Sequence, residues 1–376
     1  MSETAVRFRR ALAEAVESFG WRAALEATPR ELFVGDAVYQ ADRSRGDLWT
    51  PVRRAEIDED DWLSLVYADA TWVTQVDGTL AEEAKGPVTG APSSSSTLPS
   101  LVVRMLEAAE IGEGDAVLEI GTGTGYSTAL MCRRLGEDAV TSIEYDPAVA
   151  ERARKAIAHA GHAPTLVVGD GLHGHANGTG YDRLICTCSV RTIPSAWLEQ
   201  TRPGGTITVP MWGWLDGVTS AHLTLDDAGT ASGRFLKQGW YFMRARTHLP
   251  PPRPPVATGI GQARESRIDP AVLDDEAALF VAQLAVPAAQ RSSAGETTIL
   301  LDVATGSRAD VGPAPGGGWI VHQHGPSRLW DAVEEAVLLW QEAGSPHQSA
   351  FGLTATRERQ HVWLGDPTGP TWDLPA

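Results

Sequence analysis

Val117-Leu118-Glu119-Ile120-Gly121-Thr122-Gly123-Thr124-Gly125 is the stretch that decides the fold of this chain. An apolar run of strand character meets three glycines at alternate positions, and Ser127 to Leu135 follows with a helical pattern. Buried parallel strands read as continuous apolar runs, and glycines at their carboxyl ends let the backbone turn tightly against a ligand. An ordinary glycine-rich strand-to-helix turn shows the same bare pattern, so the neighbouring segments must decide. Ala139 to Ile143 is a second apolar strand, ending in Glu144. Thr165 to Val168 is a third, ending in Gly169-Asp170-Gly171, and Tyr181 to Cys186 is a fourth. This alternation predicts a doubly wound parallel sheet with a nucleoside in the crevice at the strand ends. Glu144 stands at the interval where such folds present a carboxylate to a ribose diol.

The glycines read G-T-G-T-G and not G-x-G-x-x-G, so the fingerprint that cradles a pyrophosphate is absent. Glu119, two residues before the first glycine, is typical of S-adenosylmethionine sites and suits the neighbourhood of the cationic methionine end. Working outward, Thr28-Pro29-Arg30-Glu31-Leu32-Phe33-Val34 precedes the loop and Pro203-Gly204-Gly205 follows it. Together with V-L-E-I-G-T-G-T-G-Y, these segments make about half of the chain resemble protein-L-isoaspartate O-methyltransferases. The resemblance implies a Rossmann-like, class I S-adenosylmethionine-dependent methyltransferase, α/β in class, with an N-terminal helical cap and a small C-terminal α+β domain. It implies S-adenosylmethionine as cofactor and S-adenosylhomocysteine as product. The cofactor residues would be Glu119, Gly121, Thr122, Gly123, Gly125, Tyr126, Glu144, Tyr145, Gly169, Asp170 and Gly171, with Asp170 and Gly171 near the adenine.

Ahead of the predicted helix Ser100 to Ala109 lies Ser93-Ser94-Ser95-Ser96-Thr97-Leu98-Pro99. A serine run between domains normally reads as a linker. Its place directly before the cofactor strand, and the resemblance, make it an active-site loop instead. The family's equivalent loop reads T-I-S-Q-P, and its hydroxyl residue faces the acceptor carboxylate. Alignment on Pro99 puts Thr97 at the serine and Leu98 at the glutamine, a departure that suggests an altered acceptor. The candidate hydroxyls are Thr97 first, then Ser95, with Ser96 and Ser94 also open.

At 376 residues with 43% hydrophobic content and 13 Trp, the chain has material for two folded domains. The net charge of −17 opposes phosphate-backbone binding, which excludes the nucleic-acid methyltransferases that share this cofactor fold. Three cysteines make no disulfide framework, and Cys186 and Cys188 at C-x-C spacing have no further ligands nearby, so no metal is expected. With neither a signal peptide nor a spanning apolar run, the chain is expected to be cytoplasmic, off the membrane, and a monomer in preference to an obligate oligomer. The acidic run Glu56 to Asp61 reads as a solvated face or helix start.

The predicted domains are 1–98, N-terminal cap and acceptor loop; 99–248, methyltransferase core; 249–256, proline-rich linker; and 257–376, C-terminal substrate-recognition domain. Leu249-Pro250-Pro251-Pro252-Arg253-Pro254-Pro255 sets the boundary by its extended, semi-rigid geometry. Gln238 to Arg246 reads as the last core strand and Arg202 to Gly205 as a turn. Beyond the linker, helix-like and strand-like segments alternate, and five tryptophans supply a small core. His322 and His324 there read as structural.

A carboxylate acceptor, with a pKa of about 4, is already ionised at neutral pH and needs positioning in place of a general base. Hydroxyls and backbone N–H groups on a Ser/Thr loop supply that, which favours carboxyl O-methylation over amine methylation. Three functions compete. One is repair of L-isoaspartate in damaged proteins. The second is methylation of a chosen aspartate in a ribosomally made, macrocyclic precursor peptide, leading to aspartimide or isoaspartate. The third is a non-catalytic binding module, against which the intact cofactor set argues. The Ser-rich loop, Leu98 and the extra C-terminal domain resemble the extended subgroup that accompanies lanthipeptides, lasso peptides and graspetides, and on that resemblance the second is favoured.

Overall fold

The structure, a computed structural model, describes residues 3–42, 44–175, 177–178, 180–255 and 261–375. They form two compact units, Met1–Thr187 with Glu199–Thr208, and Cys188–Leu198 with Val209–Ala376.

The first unit begins with helices Glu3–Ala15 and Arg22–Ala27. The expected cap is not only helical, however. Ala37–Asp42, Arg45–Arg53, Trp72–Val76, Thr79–Leu80, Val88–Thr89 and Pro92–Ser96 build a six-stranded antiparallel sheet. Those strands are short or carry charges on their open face, so their alternation is weak in the sequence. The acidic run opens helix Glu59–Val66, where Glu59, Asp60 and Asp61 in the first turn complement the helix dipole. Trp62, Leu63 and Val66 on its other side are buried with Leu12, Val34 and Val38.

The parallel sheet of this unit follows the expectation. Val117–Ile120 pairs with Val140–Glu144 on one side and with Tyr181–Cys186 on the other. Thr165–Val168 lies outside Val140–Glu144, and Tyr181–Cys186 continues to Thr201–Trp212 through Leu184↔Ile207 and Ile185↔Thr208. The chain therefore works outward from Val117–Ile120, then returns to its other side. That reversal makes a switch point at the carboxyl end of Val117–Ile120, where open α/β sheets bind ligands. The fold is that of class I S-adenosylmethionine-dependent methyltransferases.

In the second unit, Val218–Leu225, Ala231–Phe235, Phe351–Ala355, Gln360–Leu364 and Thr371–Asp373 pair antiparallel in that order. A separate five-stranded sheet holds Gln262–Glu265, Trp319–His324, Arg308–Pro313, Thr297–Asp302 and Ala289–Ala294. Helices Glu276–Ala285 and Leu329–Glu342 pack together and bury Phe280 and Trp330. Among the described residues no helix is long and apolar enough to cross a membrane.

The boundary at residue 248 cuts through this unit. Ala231–Phe235 pairs with Phe351–Ala355 from Ala231↔Ala355 to Arg234↔Gly352, so 209–248 groups with the chain beyond the prolines. Proline density is a local signal, and it cannot reveal a pairing that skips more than a hundred residues. Gln238 to Arg246 is not a strand and holds only an isolated bridge, Ser189↔Arg244. Arg202 to Gly205 belongs to strand Thr201–Trp212 and not to a turn. The end of the expected linker at Val256, and residues 257–260 of the expected last domain, lie outside the described residues.

Candidate active site

Each glycine of the loop has a conformation that side chains resist: φ is 96° at Gly121, 55° at Gly123 and 90° at Gly125. The loop is pinned as it leaves the strand, with the Gly121 and Thr122 amides donating to the Ile143 carbonyl at 2.8 and 3.1 Å. Gly125 precedes helix Tyr126–Leu135 and packs so closely that a Cβ there would meet Ile157 Cδ1 at 2.9 Å.

Beneath the loop Glu119 is fully buried. Its carboxylate accepts from Ser127 and Thr128 at 2.5 Å each and from Ser142 at 2.6 Å. Thr122 Oγ1 lies 2.7 Å from Ser142 Oγ and joins the network. One buried carboxylate thus ties two parallel strands, the glycine loop and the following helix together. Burial pushes its pKa up, and the three hydroxyl donors work against that shift. Glu119 and Thr122 therefore shape the shelf from behind with side chains already engaged. Tyr126 is likewise buried, 5.6 Å from the Phe33 ring between centroids, and burial raises its phenol to about 12.

Glu144 reaches the open side. Its carboxylate accepts from the amides of Gly123 at 2.8 Å and Asp146 at 3.0 Å. Beside it Tyr145 is exposed, and the Gly169 amide donates to the Glu144 carbonyl at 2.9 Å. Asp170 accepts from the Leu172 amide at 3.0 Å, and Gly171 lies so near Ile120 that a Cβ would stand 2.5 Å from its Cγ2. Three adjacent strand ends thus bring Gly121 to Gly125, Glu144, Tyr145 and Gly169 to Gly171 together.

The serine run is a strand, Pro92–Ser96, paired with Trp72–Val76. Side chains alternate along a strand, and the hydroxyls divide accordingly. Ser94 and Ser96 are buried, Ser94 accepting from Thr74 at 3.3 Å. Ser93, Ser95 and Thr97 are half-buried, and Ser93 is engaged with Gln75 at 2.8 Å. The Ser95 and Thr97 hydroxyls make no hydrogen bond to another described residue. A Cβ on Gly123 would stand 3.8 Å from the Ser95 carbonyl oxygen, so this strand lies against the glycine loop.

Arg30, quoted above only as part of a motif, turns out to hold the chain just beyond the serine strand. It is fully buried, and its guanidinium donates to the carbonyls of Val66 (2.6 Å), Ala68 (2.7 Å), Ala70 (2.8 Å) and Thr97 (3.2 Å). Burial lowers its pKa to about 10, still charged at neutral pH. The Leu98 amide donates to Thr71 Oγ1 and the Ser100 amide to Asp69 Oδ1, which completes the clamp. A lone arginine before an apolar turn was the only sequence signal for it. Arg104 is exposed and bonds within its own helix.

The geometry agrees with what the chain resembles. Residues 56–217 match the model of the family described as protein-L-isoaspartate(D-aspartate) O-methyltransferase. That match covers less than half of the chain. A protein-L-isoaspartate O-methyltransferase of Ignicoccus hospitalis is 42% identical over 30% of this chain and 54% of its own length. A second such protein, from Archaeoglobus fulgidus, is 38% identical over 39% of this chain and 65% of its own. One of Thermotoga maritima is 36% identical over 40% of this chain and 44% of its own. The chain thus spans roughly half the length of these curated relatives. A solved protein-L-isoaspartate O-methyltransferase superposes with a TM-score of 0.54 at 19% identity, covering 95% of this chain and 100% of that one. The likeness in fold therefore extends beyond the methyltransferase segment.

Proposed function

We propose that this chain is an S-adenosylmethionine-dependent carboxyl O-methyltransferase acting on L-isoaspartyl residues of peptides and proteins. The observation that carries the reading is the strand Pro92–Ser96, whose Ser95 lies against a glycine loop that side chains resist and which, with Thr97 just beyond its end, offers two uncommitted hydroxyls.

The residues fit the cofactor. Left-handed glycines allow close backbone approach, the Glu144 carboxylate is at the end of the second strand for the ribose hydroxyls, and Tyr145, Asp170 and Gly171 flank the adenine side. Glu119 acts through the loop, by way of Ser127, Thr128 and Ser142. When bound, S-adenosylmethionine supplies an electrophilic methyl group on a sulfonium. The protein's share is to hold an ionised carboxylate oxygen in line, and it needs no general base because the acceptor carries its charge already. Thr97, with its carbonyl fixed by Arg30, is the first choice to donate to that carboxylate, and Ser95 the second.

A narrower reading, a chosen aspartate of a macrocyclic precursor peptide with aspartimide as product, rests on Thr97 and Leu98 standing where the family has serine and glutamine. The C-terminal region no longer favours it, since a solved protein carrying the plain family name shares the fold over 95% of this chain. Repair-type acceptors are therefore the better supported class.

The test is methyl-ester formation on paired peptides differing only in L-isoaspartate against L-aspartate. Esterification of the isoaspartyl member is expected. Esterification confined to aspartate within a cyclised peptide would favour the narrower reading, and no ester on any peptide would remove both.

A further inference from the structure

Gln75 is fully buried on strand Trp72–Val76, and its side-chain amide is bonded in two directions. Toward the serine strand, Oε1 accepts from the Ser93 hydroxyl at 2.8 Å. Toward the parallel sheet, Nε2 donates to Asp146 Oδ2 at 3.0 Å. An ionised carboxylate only accepts, so the amide nitrogen must face Asp146 and the amide oxygen Ser93. Asp146 caps helix Pro147–His159, with Oδ1 accepting from the Ala148 and Val149 amides at 2.9 and 3.3 Å. Its own amide donates to Glu144 Oε1, and the Gly123 amide donates to Glu144 Oε2. Since Gly123 lies against the strand at Ser95, these contacts close a ring within the first unit. It runs from Gly123 through Glu144, Asp146, Gln75 and Ser93 and returns by way of Ser95.

The ladder between the two antiparallel strands is interrupted on both sides of Gln75. Val73 pairs with Ser95, Gln75 with Ser94 and Val76 with Pro92, which leaves Thr74 extra on one strand and Ser93 on the other. A bulge gives up ladder bonds and re-aims a side chain. Here the extra residue Ser93 is the one that bonds the Gln75 amide. The Gly78 carbonyl also accepts from Nε2, at 3.3 Å, so the hairpin turn takes part of that donor. Asp146 is the nearer partner, and it comes from beyond the end of strand Val140–Glu144, 71 residues along the chain. Burying an amide is costly unless it is bonded, and an apolar side chain would fill the hairpin without that demand.

We propose that Gln75 is a positioning residue that ties the serine strand to Glu144, so that cofactor binding fixes where the Ser95 and Thr97 hydroxyls stand. The inference rests on the function proposed above and deepens it. Ribose hydroxyls bonded to Glu144 hold its carboxylate still, and with it the Asp146 amide. Asp146 then holds Gln75, and Gln75 holds Ser93, two residues from Ser95 and four from Thr97. The acceptor hydroxyls are thereby ordered when the methyl donor is in place, which makes cofactor first and peptide second the productive order. Methyl transfer needs its acceptor oxygen near attack distance, and a displacement of about 1 Å can cost roughly a hundredfold in rate.

The test compares the full chain as wild type, Gln75→Met, Ser93→Ala, both changes together, and Ser93→Thr. Two quantities are read: hydrogen exchange of the amides of residues 93–98 with and without S-adenosylhomocysteine, and kcat and KM for ester formation on an isoaspartyl peptide. In wild type, S-adenosylhomocysteine is expected to slow that exchange roughly fivefold, the low end of ordinary coupling between sites. Gln75→Met and Ser93→Ala should each abolish the slowing and lower kcat roughly tenfold, with KM for S-adenosylmethionine little changed. The double variant should fall no further than either single one, because both cut the same link. Ser93→Thr keeps the hydroxyl and should retain the slowing and the rate. Should Gln75→Met fail to fold, Ser93→Ala and Ser93→Thr carry the test. A merely structural glutamine would lower the melting temperature and leave both the slowing and kcat in place, and that result overturns the proposal. So does exchange in wild type that ignores S-adenosylhomocysteine, or a double variant in which the two losses multiply. Failure of the functional reading looks different: no ester forms on any peptide, yet the Gln75-dependent slowing of exchange remains.

Discussion

The glycine shelf and the serine strand lie side by side, and they are held by opposite means. The shelf is local. Gly121 to Gly125 turn by their own left-handed conformations, and the carboxylate beneath them bonds Ser127 and Thr128, eight and nine residues along the chain. The strand Pro92–Ser96 is held from far away, by pairing with Trp72–Val76 and by an arginine 67 residues before Thr97. A shelf that encodes its own geometry can be recognised from nine residues. A strand that borrows its geometry cannot.

Breaking the clamp should have the largest effect. Arg30→Met leaves four carbonyls without their charged donor. Such bonds are worth about 1.5–3 kcal/mol each but do not add, so a loss of ~4 kcal/mol is expected in urea unfolding. A loss below ~1 kcal/mol would mean that strand pairing alone holds the acceptor side. On the shelf, Glu144→Ala removes the open carboxylate and leaves the Gly123 amide without its partner. Affinity for S-adenosylhomocysteine should fall roughly thirtyfold by calorimetry, with peptide binding less affected. Undiminished affinity would take Glu144 out of the cofactor site.

This contrast also explains what the sequence could tell. Thr165–Val168 and Tyr181–Cys186 appear with the predicted bounds, the first as a partly covered edge strand and the second buried from Leu184 to Cys186, because short β-branched or apolar runs flanked by glycine read as strands. The turn of the glycine loop was legible from its own residues, whereas the burial of Glu119, Thr122 and Tyr126 behind it was not. Whether a side chain near the loop points to the ligand or behind it depends on Ser142, which comes from another strand. The serine run reads as an acceptor segment only by resemblance. Its division into engaged and uncommitted hydroxyls needed the pairing with Trp72–Val76, and the unit boundary needed the pairing of Ala231–Phe235 with Phe351–Ala355.

The next two predictions probe one residue on each side. Thr97→Val keeps shape and removes the uncommitted donor, so turnover should drop roughly tenfold while cofactor affinity holds. An unaltered rate would pass the role to Ser95. Glu119 tests the shelf through pH. Its folded pKa is raised by burial, so the stability linked to its protonation is present below the ordinary carboxylate range and lost as pH rises through the raised value. Glu119→Gln cannot ionise, and its unfolding free energy should decline less over that window. Parallel pH profiles for variant and wild type would show that the hydroxyl donors offset the effect of burial.

The smallest effect is expected at Ser94, and its smallness is informative. Ser94 is in the same serine run as Thr97, and composition alone gives no reason to treat them differently. Thr97 follows the strand Pro92–Ser96, and it is half-buried where Ser94 is buried, so the two hydroxyls have different surroundings. Ser94 is buried and its bond from Thr74 is long, 3.3 Å, so it contributes little as a hydrogen bond. Ser94→Ala should therefore cost less than ~1 kcal/mol in stability and leave turnover near wild type. Thr97→Val should do the reverse, sparing stability and slowing turnover. If Ser94→Ala instead slows methyl transfer as much as Thr97→Val does, the buried side of the strand also reaches the acceptor. The alternation would then be the wrong guide, and the buried, unpartnered Ser96 hydroxyl would become the next residue to change.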